Sequence, residues 1–266
     1  MAAVDGKPIV NCQVNNFKNQ TSKIKLPFPR WFRGGGGPGA DAEKKELLAR
    51  HNAAFRRFDQ DRPLTEYDFT VFDTELTGLH RRRDEIVAIG AVRIRGLRIV
   101  AGEILHSHIR PGDLKPTDST LIHRITPEQL VAAPGPAEVL ENFIRFIGPS
   151  LLVGHYVGLD MHFVNRAARR IFGGRLKNPC LDTMLLAEAY TQACWEHYYD
   201  RFNPRISYNL TDLSRHHGLP LFEAHEALQD AFQTAYLFLF LVKKLQHLGC
   251  RTLRDLFKAG QRWRLV

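Results

Sequence analysis

The 266 residues suffice for one large domain, or one domain with a sizeable extension, and an apolar content of 44% excludes wholesale disorder. The formal charge of +9 favours an acidic partner such as nucleic acid, but it is uneven: residues 1–40 hold Lys7, Lys18, Lys23, Lys25, Arg30 and Arg33 against Asp5 alone. The longest apolar run, Ala235 to Val242, falls far short of the ~20 residues that span a bilayer, and the scattered cysteines (Cys12, Cys180, Cys194, Cys250) fit neither a zinc site nor a disulfide framework, so a soluble cytoplasmic protein is expected.

Residues 1–40 show little periodicity and end in the Gly34–Gly39 breaker, Gly-Gly-Gly-Gly-Pro-Gly. Apolar residues at helical spacing (Leu47, Leu48, Ala54, Phe55, Phe58) predict a lead-in helix over Ala42 to Phe58, closed by Pro63. Residues 1–62 are thus expected to be a basic, partly flexible extension. From Tyr67 the period becomes two, with Phe69, Val71 and Asp73 on one face and Thr70, Phe72 and Thr74 on the other. Ile86 to Ile94 and Ile99 to Ile109 predict an antiparallel pair turning near Gly96. Helices are predicted at Pro127 to Val131 and Ala137 to Ile147. Leu151 to Val153 reads as a buried strand feeding a helix that holds Asp160 to Ile171. A strand at Pro179 to Asp182 and helices at Thr183 to Cys194, Leu210 to His217 and Glu226 to Leu245 complete the pattern. Strands first, then alternating strand and helix, predict a mixed α/β sheet covered by helices over 63–250, with 251–266 as a C-terminal tail.

Asp73 and Glu75 stand two apart at the end of an apolar strand and so share a face. At ~4 Å and an effective dielectric of about 20, two such charges repel by roughly 4 kcal/mol. A shared hard cation relieves that, as does protonation of one carboxyl; an ordinary polar strand end is the bland alternative. Asp160 lies near a helix start, where a carboxylate is favoured by the helix dipole and also serves as a simple capping acid. His225 and Asp230 are five apart, ~140° around a helix, and face one site only if His225 precedes the helix proper.

Taken in order, Asp73-x-Glu75, Asp160 and His225-x4-Asp230 resemble the DEDDh branch of the DnaQ-like 3′–5′ exonuclease superfamily, which includes the epsilon proofreading subunit of bacterial DNA polymerase III. Phe72-Asp73-Thr74-Glu75-Leu76-Thr77-Gly78-Leu79 looks like the family's first motif, and Asp84 to Ala91 follows it. His123-Arg124-Ile125-Thr126-Pro127 is similar to the His-Gly-Ile-Thr segment, and Gly154 to Asp160 to the second motif. Leu181-Asp182-Thr183 and Asn209-Leu210 also sit where the family has related residues. The likeness spans about Tyr67 to Leu245. Three positions depart from it: Leu76 replaces a frequent Thr, Arg124 a usual Gly, and Tyr156 a frequent Asn.

The resemblance implies a ribonuclease H-like fold, antiparallel strands first and then parallel. It implies two divalent cations, Mg2+ or Mn2+, held by Asp73, Glu75, Asp160 and Asp230, and His225 as the base that activates water for in-line attack. The expected product is a 5′-mononucleotide cut from the 3′ end of DNA or RNA. Thr74, Leu76, His123, Thr126 and Tyr156 are expected to line the terminal-nucleotide pocket, although His123 and Thr126 also read as caps for the helix at Pro127. Arg81-Arg82-Arg83 reads either as a phosphate contact or as a solvated turn, and Tyr190, Trp195, Tyr198 and Tyr199 as packing rather than a stacking surface. Two alternatives accompany this reading. One is a proofreading-type accessory subunit that binds a polymerase or other partner through residues 1–62. The other is an exoribonuclease of the same chemistry. A membrane-surface role is not expected, because the leader lacks a long amphipathic stretch.

Overall fold

The computed structural model describes residues 38–194 and 207–261. The leader up to residue 37, together with Trp195, Tyr198 and Tyr199, lies outside the described residues. β1 (Phe69–Leu76) is the centre of a five-stranded sheet whose other strands are β2 (Ile86–Arg95), β3 (Arg98–His108), β4 (Leu151–Gly154) and β5 (Cys180–Asp182). Their order is β3-β2-β1-β4-β5. The first three strands run antiparallel, with Asp73 opposite Gly90, while β4 and β5 run parallel to β1, with Val71 opposite Val153. This is the mixed sheet that the strand pattern predicts.

Helices α1 (Pro38–Ala53), α2 (Asp118–His123), α3 (Pro127–Val131), α4 (Pro136–Ile147), α5 (Gly158–Phe172), α6 (Thr183–Ala193), α7 (Leu210–His216), α8 (Ala227–His247) and α9 (Leu253–Gln261) surround it. The two faces of β1 enter different cores. Phe69 and Val71 join Val92 and Val153 under α8, packed on Ala231, Ala235, Phe238 and Leu241. Phe72 and Leu76 turn the other way, to Phe143 of α4 and Phe163 of α5. Full burial of such side chains is worth about 1.5–3 kcal/mol each, so the strand's register is held from both sides.

Helix α1 starts earlier and ends earlier than its apolar spacing predicts. Asn52 explains the stop, because its side chain donates to the Arg175 carbonyl (2.8 Å) and accepts from Lys177 N (2.9 Å). Beyond it the ladder tightens to three-residue turns, Ala54 N to His51 O and Phe55 N to Asn52 O, and Phe55 and Phe58 continue as tilted ring contacts to Tyr67. Helix α2 has no counterpart in the sequence reading. Its Leu121 is 83% exposed, so no apolar stripe marks it. Within the span read as a C-terminal tail, α9 buries Leu253 and Leu256 completely, and Arg254 forks onto Asp61 (2.6 and 2.9 Å). Within the span read as an extension, Leu48 of α1 is buried in the core under α5.

Gly90 sets the spacing between sheet and α8. A Cβ there would lie 2.2 Å from the Ala227 carbonyl carbon and 2.2 Å from Leu228 N, both in the first turn of α8. Gly90→Ala is therefore expected to destabilise the fold by about 2–3 kcal/mol through overpacking against backbone. Chemical and thermal denaturation should register this as a lower midpoint, a Tm fall of roughly 4–12 °C.

Candidate active site

β1 and the first turn of α8 bring three carboxylates together. The alternation that buries Phe69 and Val71 beneath α8 also places Asp73 and Glu75 on that side at the strand's end, where both are half-buried. Asp230 enters from the opening turn of α8, and one carboxylate oxygen from each of the three lies within 4.8 Å of the others. Asp160 comes from the first turn of α5, on the opposite layer, and is 6% exposed. Its Oδ1 accepts from both Thr74 N (3.0 Å) and Thr74 Oγ1 (2.5 Å). It thus stands beside the trio rather than within it, and both Thr74 donors are spent in holding it.

Burial raises the pKa of all four acids. Desolvation is the larger cause, and for Asp73 and Glu75 the neighbouring carboxylates add to it. Glu75 is pushed up to about 8, by burial first and then by Asp230, Asp160 and Glu226. Donors to Asp160 from Thr74, and to Asp230 from His225, work in the opposite direction. All the donor atoms are carboxylate oxygens, which suits hard divalent cations.

His225 is in the turn before α8, not on the helix, so the five-residue spacing to Asp230 presents no obstacle. Its backbone N donates to Asp230 Oδ2 at 2.8 Å, and its side chain is exposed. His123 ends α2 and is buried, with Nδ1 accepting from Ile125 N (3.0 Å). Its Nε2 has no hydrogen-bond partner of good geometry, although the Leu76 carbonyl on that side favours the protonated ring. Burial is the main cause lowering its pKa. Of the two cap readings, only Thr126 performs one: it is the N-cap of α3, and its N–H donates to Gln129 Oε1 at 2.8 Å. His123 caps nothing there.

The two positions that depart from the family's Gly and Asn share a backbone feature. Arg124 (φ 59°) and Tyr156 (φ 55°) are left-handed, as is His225 (φ 66°); among the described residues Leu97, in the β2–β3 turn, is the other non-glycine with positive φ. Glycine and asparagine adopt that conformation most readily. Tyr156 is half-exposed, sets its ring edge-on to His155 (5.0 Å) and donates its N–H to Asp182 Oδ1 (3.0 Å). His155 is a neutral tie, with Nδ1 on Thr183 Oγ1 (2.9 Å) and Nε2 on the Tyr208 carbonyl (2.8 Å), and burial lowers its pKa to about 4. Tyr190 packs against the stacked rings of His217 and Phe240, as a helix-packing residue would.

Three site residues went unread in the sequence. Glu226 is the N-cap of α8, accepts from Leu228 N (3.2 Å), and adds a fifth negative charge near Asp73, Glu75 and Asp230. Its i, i+4 spacing from Asp230 is the signal that marks a shared face. His106 on β3 lies 3.3 Å from Glu226. Gly90, an isolated glycine inside a strand pattern, signals close approach of another backbone.

Two predictions follow from this geometry. The folded state holds carboxyl protons that the unfolded chain releases near pH 4, whereas the buried histidines, of lowered pKa, oppose this trend only up to about pH 6.5; between about pH 6.5 and 8 each rise in pH therefore destabilises the metal-free protein. Melting curves across that range should fall toward pH 8, and added Mg2+ or Mn2+ should flatten the decline. Separately, Tyr156→Asn should relieve left-handed strain and raise stability by about 1 kcal/mol in urea unfolding, with no gain if the ring's contacts outweigh the strain.

Comparison with known proteins places the chain in a family. Over 191 residues the chain is 37% identical to the DNA polymerase III subunit epsilon-like protein of Rhodobacter capsulatus, covering 71% of this chain but only 26% of that relative. The DNA polymerase III subunit epsilon of Aquifex aeolicus is 30% identical over 182 residues, 68% of this chain and 84% of the relative. Among solved structures, E. coli exonuclease I in complex with a dA16 oligonucleotide superposes with a TM-score of 0.59 at 20% identity, over 72% of this chain and 43% of that one, which establishes likeness of fold. The RNase T exonuclease family model matches residues 70–238, the stretch that contributes every carboxylate of the cluster, and the chain belongs to that family.

Proposed function

We propose that the chain is a metal-dependent 3′–5′ exonuclease that releases 5′-mononucleotides from DNA. One observation carries the reading: Asp73, Glu75 and Asp230 converge to within 4.8 Å, with Asp160 alongside, an arrangement of like charge that only cations or protons make tolerable. Four carboxylates match the charge of two divalent cations, so Asp73, Glu75, Asp160 and Asp230 are the residues that would hold them. Bound there, Mg2+ or Mn2+ supplies charge neutralisation on the phosphodiester and makes water a better nucleophile.

The chain's own residues do the rest. His225, anchored through its N–H to Asp230, carries an exposed imidazole beside the cluster and takes the proton of the attacking water. Thr74 orients Asp160 with both of its donors. In this reading His123, buried at the end of α2, backs the terminal-nucleotide pocket with the Leu76 backbone and the α3 cap at Thr126. Tyr156 presents a half-exposed ring that suits stacking on a base. DNA is the preferred polymer because the relatives are polymerase III subunits, which also makes a polymerase the natural protein partner, reached through residues 1–62. A cytoplasmic setting accords with the scattered cysteines.

The test is degradation of a 5′-labelled single-stranded oligonucleotide with Mg2+ or Mn2+. Shortening from the 3′ end and release of 5′-mononucleotides are expected. Asp73→Ala should abolish the reaction, and His225→Ala should slow it by about 10²–10⁴ while leaving oligonucleotide binding largely intact. Full activity in the Asp73→Ala protein would end the proposal.

A further inference from the structure

An exonuclease acting on a polymer must hold the strand behind the terminal nucleotide as well as the nucleotide itself. The loop between β1 and β2 carries three adjacent cations, Arg81, Arg82 and Arg83, all exposed. A charged turn is ordinarily a solvated one. Two features distinguish this turn.

The first is that its backbone is clamped. The Arg81 carbonyl accepts from His162 Nε2 (3.0 Å) and from one guanidinium nitrogen of Arg166 (2.5 Å), and the other guanidinium nitrogen of Arg166 donates to the Asp84 carbonyl. At the loop's base, Thr77 N donates to the Glu85 carbonyl (2.9 Å) and Glu85 N donates to Thr77 Oγ1 (3.0 Å). Gly78 permits the closure, since a Cβ there would lie 2.5 Å from an Asp84 carboxylate oxygen.

The second is that the neighbouring acids are spent elsewhere. Asp84 Oδ2 accepts from His80 N (2.6 Å), and Glu85 Oε2 accepts from Gly112 N (2.6 Å). Among the described residues, none of the three guanidinium groups makes an ion pair. The loop therefore presents three exposed guanidinium groups without ion-pair partners on a backbone held in place.

Its position is set by the same helix that bears Asp160. The loop leaves β1 directly after Glu75 and Leu76, and His162 and Arg166, about 3 and 9 Å beyond Asp160 by helical rise but on a different face of the helix, bond it to α5. Beyond it, Arg110, Arg166 and Arg170, with Glu85 among them, line a cleft of about 130 Å³.

We propose that Arg81, Arg82 and Arg83 form a phosphate rail, binding the phosphodiester backbone of a single strand on the 5′ side of the scissile bond. This rests on the exonuclease reading above and assigns the site the polymer backbone, independent of base sequence. Guanidinium forks match phosphate oxygens, and a loop fixed in advance surrenders little entropy on binding.

The test uses the full chain and a fluorescent single-stranded oligonucleotide with nuclease-resistant phosphorothioate linkages, with binding read by anisotropy from ~50 to ~200 mM salt. Three phosphate contacts on a single strand contribute about 0.7 each to the salt slope. Arg81, Arg82 and Arg83→Gln together should therefore reduce it by about 2, so that across this range the variant loses about 20-fold less affinity than the parent. Lysine at the same three positions should preserve the slope. The clamp uses carbonyls rather than these side chains, so both variants should melt with the parent protein. An unchanged slope in the glutamine variant overturns the rail, as does a parent chain that binds no oligonucleotide. Hydrolysis is assayed separately on the p-nitrophenyl ester of thymidine 5′-monophosphate, which has no upstream strand. Absence of both that turnover and 3′-end shortening of the oligonucleotide, with the predicted slope change intact, refutes the exonuclease reading and supports the rail as a binding site.

Discussion

Mutual repulsion among Asp73, Glu75 and Asp230 is the constraint around which the rest of the structure is arranged. Each like-charged pair at ~4 Å opposes folding by roughly 4 kcal/mol at an effective dielectric of about 20, a large fraction of a domain's net stability. The cluster persists because its members have little freedom to separate. Asp73 and Glu75 are fixed by a strand whose alternate residues are fully buried in two cores. Asp230 is fixed by a helix turn that sits on Gly90 at a distance no side chain would permit. Packing energy is thereby converted into an electrostatic demand for cations, which is the property a phosphodiester-cleaving site requires.

β1 divides the site between two layers. Its α8 face delivers Asp73 and Glu75 to Asp230, while Thr74, on the α5 side, holds Asp160 with two hydrogen bonds. A strand in the middle of a sheet is well suited to this, because period-two alternation addresses both helical layers from adjacent residues. The ends of β1 and β4 and the starts of α5 and α8 then meet at one edge. The clamped arginine loop leaves β1 at that same edge and is bonded to α5 just beyond Asp160. The arginine loop and the carboxylates are thus referred to the same two elements.

Much of this was legible in the sequence, for identifiable reasons. The strand period alone places Asp73 and Glu75 on a common face with Phe69 and Val71, and the apolar helix after Glu226 leaves His225 outside it. The mixed sheet follows from strand order. Other features left no such trace. Helix α2 exposes Leu121 and Ile122, so it lacks the stripe that betrays a helix. The early end of α1 depends on Asn52 reaching residues 123 and 125 positions away. That Asp160 stands beside the trio rather than within it depends on a threonine hydroxyl, which a pattern of carboxylates does not contain. Glu226 and Gly90 carried readable signals, the i, i+4 spacing and the lone strand glycine, that motif matching passed over.

The left-handed residues at the rim complete the logic. Arg124, Tyr156 and His225 each adopt a conformation that costs a non-glycine residue on the order of 1 kcal/mol. In each case the backbone N–H is bonded inward, to the Thr120 carbonyl (2.9 Å), to Asp182 Oδ1 (3.0 Å) and to Asp230 Oδ2 (2.8 Å). In each case the side chain is exposed or half-exposed. Arg124 uses this exposure to meet Glu223 at 3.1 Å, joining the end of α2 to the segment that precedes His225. Such a surface pair contributes no more than about 1 kcal/mol, so its consequence is positional rather than energetic. Where a smaller residue would leave the turn relaxed and bare, this chain accepts local strain and gains a functional group on a backbone anchored to the site. Two of the three departures from the family pattern, Arg124 and Tyr156, thus fall at left-handed turns, whereas the third, Leu76, lies in β1 with its side chain in the core.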